Sequence, residues 1–168
     1  LGSRLEIIIT PLVFGIGSVL TASVGINVGA QQLPRAKMIA WTGAFISFCV
    51  VGLLGATVTI FPDIWLNNFE SSSLIRDYAT SYLIIVAPFY CFFAAGQTLY
   101  FASQGLGKIF YPVIVGIIRL LSVSIICYYV TFYDLSLNFV FYGVSFGLLA
   151  TGLGLWMCML GPDWKKQI

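Results

Sequence analysis

The stretch VGINVGAQQLPRAK, Val24 to Lys37, decides how the chain is read. An apolar run reaches it from the N-terminal side, and another leaves it at Met38. Between them stand two glycines, three amide side chains, a proline and two cations, with no acid and no histidine. Such a strip is a polar turn joining two long apolar segments. Pro34 can open the second segment, because a missing N–H costs nothing in the first turn of a helix.

The pattern recurs along the chain. No charged residue lies between Glu6 and Arg35, Lys37 and Asp63, Asp77 and Lys108, or Asp134 and Asp163. Arg119 alone interrupts a fifth stretch, Ile109 to Tyr133. Each gap holds the roughly 20 residues a helix needs to cross about 30 Å of hydrocarbon. The chain is 60% hydrophobic and 8% charged, with a mean hydropathy of +0.99, whereas a soluble domain keeps about a quarter of its residues charged. Lipid offers backbone N–H and C=O groups no partner, so each run must be helical. The runs are too long and too uniformly apolar for the alternating strands of a β-barrel. The expected fold is an all-α polytopic membrane bundle of about five spans: Glu6–Val28, Met38–Phe61, Tyr78–Gln104, Tyr111–Phe132 and Leu137–Leu160. Nothing divides residues 1–168 into separate domains. In the loop Pro62 to Asp77, the serines of NNFESSSLIRDY are placed to cap a short surface helix beginning near Leu74.

Lysines and arginines set the expected orientation. One set of span ends carries Arg35, Lys37, Lys108, Lys165 and Lys166. The other carries Arg4 and Arg76 among the acids Glu6, Asp63, Glu70, Asp77 and Asp134. The first set is expected to be cytoplasmic, in a multi-pass protein of the cell membrane. The N-terminus of this chain is then outside and its C-terminus inside. The chain begins at Leu1 with no basic segment ahead of the first apolar run, and it is read as the C-terminal part of something longer. Cys49, Cys91, Cys127 and Cys158 fall within spans at spacings that suit packing rather than a metal site or a disulfide. A net charge of +2 gives no reason to expect a nucleic-acid partner.

Small residues mark where helices meet in lipid, since little hydrophobic force drives helices together there. The expected contact faces carry Thr21, Gly25 and Gly29; Gly52 and Ala56; Gly55 and Thr59; and Gly143, Gly147 and Thr151. Pro88 should break the third span. Beyond it, Ala87, Cys91, Ala94, Ala95, Thr98 and Ala102 form a small stripe suited to a neighbouring helix. Tyr90, Phe93, Gln97, Tyr100 and Gln104 form a second stripe. Buried amides need partners, so this stripe suits a partly wet substrate cavity, or else bonds to adjacent helices. Asn27 either caps the end of the first span or bonds across helices. Arg119 is the only formal charge within a span. It is either functional or snorkels about two turns to the near interface.

The chemistry of an enzyme is missing. There is no histidine, no carboxylate pair, no Ser/His arrangement, no phosphate loop and no HExxH. No catalytic residue, metal ligand or resident cofactor is assigned.

The turn at Gly25, Asn27, Gly29, Ala30 and Arg35 resembles a segment of the MATE (multidrug and toxic compound extrusion) family. There a glutamine- or asparagine–x–glycine–alanine run precedes an arginine–alanine pair. The later APFYCFFAAGQTLYFASQGLGKIFYP is similar to the family's tenth span and the turn after it. Arg119, seven residues past Pro112, resembles the proline-to-arginine spacing of the next span. The resemblance implies spans eight to twelve of a twelve-span transporter, most of one six-helix lobe, with the N-terminal lobe as partner. It implies export of small amphipathic compounds and organic cations in exchange for sodium ions or protons. One departure matters: members with a cation site in this lobe place an acid in the tenth span, and Tyr78–Gln104 has none. The ion-coupling acid is therefore expected outside this chain, because every acid here is read as lying near a water interface. A lipid-linked oligosaccharide or polysaccharide flippase of the same superfamily, or a non-transporting subunit, are the alternatives.

Overall fold

The computed structural model describes residues 2–69, 72–134, 136–161 and 164. Glu70, Ser71, Asp163, Lys165 and Lys166, used above in the charge and capping arguments, lie outside the described residues. Among the described residues seven α-helices run in chain order: α1 Leu5–Gly29, α2 Leu33–Ile60, α3 Pro62–Leu66, α4 Ser73–Val86, α5 Tyr90–Gly105, α6 Phe110–Phe132 and α7 Leu137–Leu160. No strand occurs among the described residues. Five stretches are long and apolar enough to cross a membrane: Gly2–Gly29, Leu33–Ile60, Ser73–Gly105, Phe110–Phe132 and Leu137–Leu160. The all-α polytopic bundle is as expected.

The third span is two helices. A 3-10 turn at Ala87–Phe89 separates α4 from α5, where Pro88 removes an N–H from the ladder. The region before it corrects the sequence reading. No separate surface helix forms near Leu74; α4 starts at Ser73 and runs on into the span. The Ser72 side chain makes no capping bond. An ion pair between Arg76 and Asp63, 2.6 Å apart, ties this projecting turn to α3.

α5 lies at the centre, against α1, α2 and α7, while α6 packs chiefly on α7. The small stripe of the third span is what allows this. Ala94, Ala95, Thr98 and Ala102 are buried, and α2 and α7 come close enough to exclude larger side chains. A Cβ on Gly96 would stand 2.8 Å from Gly152 Cα, and one on Gly55 would stand 2.5 Å from the Ala87 carbonyl oxygen. Gly143 and Gly147 face Ile126 and Val123 of α6. Gly29 departs from its expected packing role, since nothing lies within 4 Å of where its Cβ would be. It ends α1 beyond the contact with α5.

Polar groups inside the bundle are mostly satisfied locally. Thr98 Oγ1 is 2.7 Å from Ser47 Oγ and 2.8 Å from the Ala94 carbonyl oxygen. Ser145 lies 2.9 Å from the Ile85 carbonyl oxygen, near the break in the third span. All four cysteines are free thiols.

Candidate functional site

The polar residues of α5 divide between two places. At the end of the bundle where α1 begins, Tyr82 of α4 and Tyr90 of α5 both donate to the Glu6 carboxylate, at 2.7 and 3.1 Å. The two hydroxyl oxygens are 3.3 Å apart. Tyr90 is only 1% exposed. This corrects its placement among the cavity residues: α1 and α4 close over the start of α5, so the ring enters the core and the hydroxyl turns to Glu6. Glu6, read as an interface acid, stays within about two turns of the start of the first span at Gly2, but it is engaged by two phenols rather than free. A 3-10 turn at Gly2–Arg4 extends the first span ahead of α1, and the carboxylate points into the bundle.

Farther along α5 the bundle opens into a groove of about 610 Å³ between α1, α5, α6 and α7. Gln97, Tyr100 and Gln104 line one wall and Arg119 lies across from them. Phe14 and Phe101 supply an aromatic floor, with ring centroids 5.0 Å apart at 75°. Phe93 does not line the groove. Its ring lies under the Arg119 guanidinium, 4.7 Å from centroid to Cζ. Of the five stripe residues, the structure brings Gln97, Tyr100 and Gln104 together. Phe93 becomes a platform for Arg119, and Tyr90 leaves the group.

Arg119 is placed against an aromatic ring of α5. It is the tenth residue of α6, about 14 Å into a helix about 34 Å long. Phe93 lies about 18 Å from the Gly105 end of α5. The side chain reaches across to that ring. Cation–π contact of this kind contributes roughly 0.5–2 kcal/mol, more as water is excluded.

The motif turn serves the helix crossing, not the groove. Gly25 sits 3.5 Å from the Gly105 carbonyl oxygen, measured from the Cβ it lacks. Thr21 bonds the Phe101 carbonyl oxygen of α5 at 2.9 Å. Asn27 neither caps nor bridges: its amide donates back to the Ser23 carbonyl of its own helix at 2.8 Å. Gln31, at φ 57°, turns the chain after Ala30. The amides of Gln31 and Gln32 then return to the Val28 and Asn27 carbonyls, which closes the helix end. Arg35 is exposed in the first turn of α2.

The family model described as MatE matches residues 1–130, from the start of the chain through most of α6. The chain belongs to the MatE family. No curated protein and no solved structure matches it. MatE proteins are transporters rather than enzymes, and the five apolar spans make this chain a multi-pass membrane protein of that family. The MatE match covers the turn at Gly25–Arg35, the α5 wall of the groove and Arg119. Sequence reading missed Glu6 and Tyr82, whose pairing joins residues 76 positions apart.

Proposed function

We propose that the chain forms most of one lobe of a secondary antiporter that exports small amphipathic compounds. The observation that carries this reading is a segregation of polar groups. No fully buried side-chain polar atom among the described residues lacks a hydrogen-bond partner. The side chains of Gln97, Tyr100, Gln104 and Arg119 are half-buried, make no hydrogen bond with the described residues, and all line one groove. Amides and a guanidinium inside a membrane bundle need partners. Water and a transported solute supply them in a transport path.

The second lobe is the N-terminal part of the same protein, and rocking of the two lobes exposes the cavity to each side in turn. The Arg35 and Lys108 turns face the cytoplasm and the chain sits in the cell membrane. Sodium ions or protons drive export, and the coupling acid lies outside these spans. Of the acids described here, Glu6 is engaged by two phenols and Asp63 by Arg76, while Asp77 and Asp134 are exposed. Organic cations ask for a carboxylate that does not line this groove, so the part of their recognition that is electrostatic falls to the other lobe.

The test compares Gln97→Leu with Thr98→Ala in the full-length protein at equal membrane levels. Thr98 is adjacent but fully buried against α2. Gln97→Leu is expected to cut efflux of amphipathic dyes several-fold more than Thr98→Ala. Equal effects would reduce the groove to a packing defect.

A further inference from the structure

Among the described residues the groove has one formal charge, and that charge is positive. Arg119 stands about 14 Å along α6 from its Phe110 end, within a membrane span, where an unpaired cation is costly. Glu6 is bonded to Tyr90, one turn of α5 from the Phe93 ring that carries the guanidinium. However, the one ion pair within 4 Å among the described residues is Arg76–Asp63, and Arg119 makes no hydrogen bond with any of them. Its Cζ lies over the Phe93 ring, 4.7 Å from the centroid. That contact uses none of its N–H donors as hydrogen bonds to a described oxygen, and a guanidinium with open donors is shaped for a carboxylate or phosphate. No acid among the described residues lines the groove to take it. The rest of the lining is apolar and aromatic, with Gln97, Tyr100, Gln104 and Thr151 as hydrogen-bonding groups. The volume, about 610 Å³, falls in the range of small-molecule sites.

We propose that Arg119 is the anion-recognising residue of this groove, and that the groove takes amphipathic aromatic carboxylates. The carboxylate meets the guanidinium edge, the ring system packs on Phe14 and Phe101, and Phe93 holds the guanidinium in place from behind. This assignment rests on reading the groove as a substrate site and adds the charge of the solute. An aromatic body is favoured over a lipid chain because Phe14, Tyr100 and Phe101 all lie on the same lining.

The test measures equilibrium binding to the purified full-length protein in detergent with three probes of one shape: 2-naphthoate, neutral 2-naphthamide and cationic 2-naphthylmethylammonium. The unmodified protein is expected to bind the naphthoate at least tenfold tighter than the amide, and the amide tighter than the cation. Arg119→Gln is expected to remove the naphthoate preference while changing naphthamide affinity less than threefold. Arg119→Lys is expected to restore part of it. Equal affinity for naphthoate and naphthamide in the unmodified protein would overturn the assignment, and this needs no variant to fold. A parallel fall for both probes in Arg119→Gln would mean that Arg119 only shapes the bundle. Displacement of naphthoate by dioctanoyl phosphatidate at lower concentrations than by naphthoate itself would give the site to a lipid and overturn the solute assignment. These outcomes are separate from the efflux test. Loss of naphthoate discrimination with a strong Gln97→Leu efflux defect refutes the anion site and leaves the transporter reading. The reverse pattern refutes the transporter reading alone.

Discussion

The Tyr82–Glu6–Tyr90 cluster gives the sharpest stability prediction. Glu6→Leu removes the acceptor of two phenol hydroxyls, at 2.7 and 3.1 Å. An unsatisfied buried group costs about 1–3 kcal/mol, so two orphans would cost about 2–6 kcal/mol. The phenol oxygens are 3.3 Å apart, however, so one hydroxyl can turn to the other and only one is orphaned. The expected loss is then about 1–3 kcal/mol. Tyr82→Phe alone should cost about 0.6–1.7 kcal/mol, from the average to the maximum for hydrogen bonds between membrane helices. The assay is sodium dodecyl sulfate unfolding of the full-length protein in mixed micelles, read as a double-mutant cycle of Glu6→Leu and Tyr82→Phe. A coupling energy of about 1 kcal/mol is expected. A coupling under about 0.3 kcal/mol would show that the pair contributes nothing to the helix contact. Glu6→Gln keeps an acceptor oxygen and should retain ion-driven efflux. Its abolition in a folded protein would place the coupling acid within this chain.

Two further outcomes test the turn and the topology. Gln31 occupies a left-handed conformation at φ 57° that an L side chain resists, so Gln31→Gly should stabilise by about 0.5–1 kcal/mol in the same unfolding assay; a loss of stability would mean that the side chain holds the turn. Gln32→Cys, at an exposed position and on a background lacking the four native cysteines, should react with impermeant maleimide only in opened cells; reaction in intact cells would reverse the orientation.

Span number and type are legible in the sequence because lipid leaves the backbone no other satisfied state. Boundaries are less so. Arg76 and Asp77 read as loop residues, yet α4 includes both, because an exposed ion pair to Asp63 and an exposed carboxylate let a helix project beyond the apolar zone. The small stripe of the third span is legible since Ala and Thr at helical spacing admit close backbones, and Ala94, Thr98 and Ala102 are buried as that spacing implies. The neighbouring stripe is only partly legible. Spacing says that Tyr90 and Gln97 share a face of one helix, but not that α1 and α4 cover one end of that face while a groove opens at the other. Glu6 carries no local signal at all: its partners are 76 and 84 residues away.

Arg119 joins the two polar regions, and this gives the groove a tuning element. Phe93 stands one turn from Tyr90 on one side and from Gln97 on the other, so the guanidinium it carries is one helical turn from the phenol that binds Glu6. A carboxylate entering the groove must share Arg119 with Glu6, so the two negative charges compete for one cation. Removing one charge should strengthen binding of the other. Glu6→Gln is therefore expected to raise 2-naphthoate affinity in the full-length protein while leaving 2-naphthamide unchanged. The bound on the effect is electrostatic. Unit charges 4 Å apart at an effective dielectric of about 20 interact by about 4 kcal/mol. No Glu6 oxygen lies within 4 Å of the Arg119 nitrogens, so the gain falls below that, on the order of three- to thirtyfold. The assay is the naphthoate titration at low and high salt. Added salt should leave most of the difference intact, since screening acts weakly on partly buried charges. A naphthoate affinity that falls in Glu6→Gln would show instead that Glu6 holds Arg119 in its binding position. Competition through a shared cation would then be wrong.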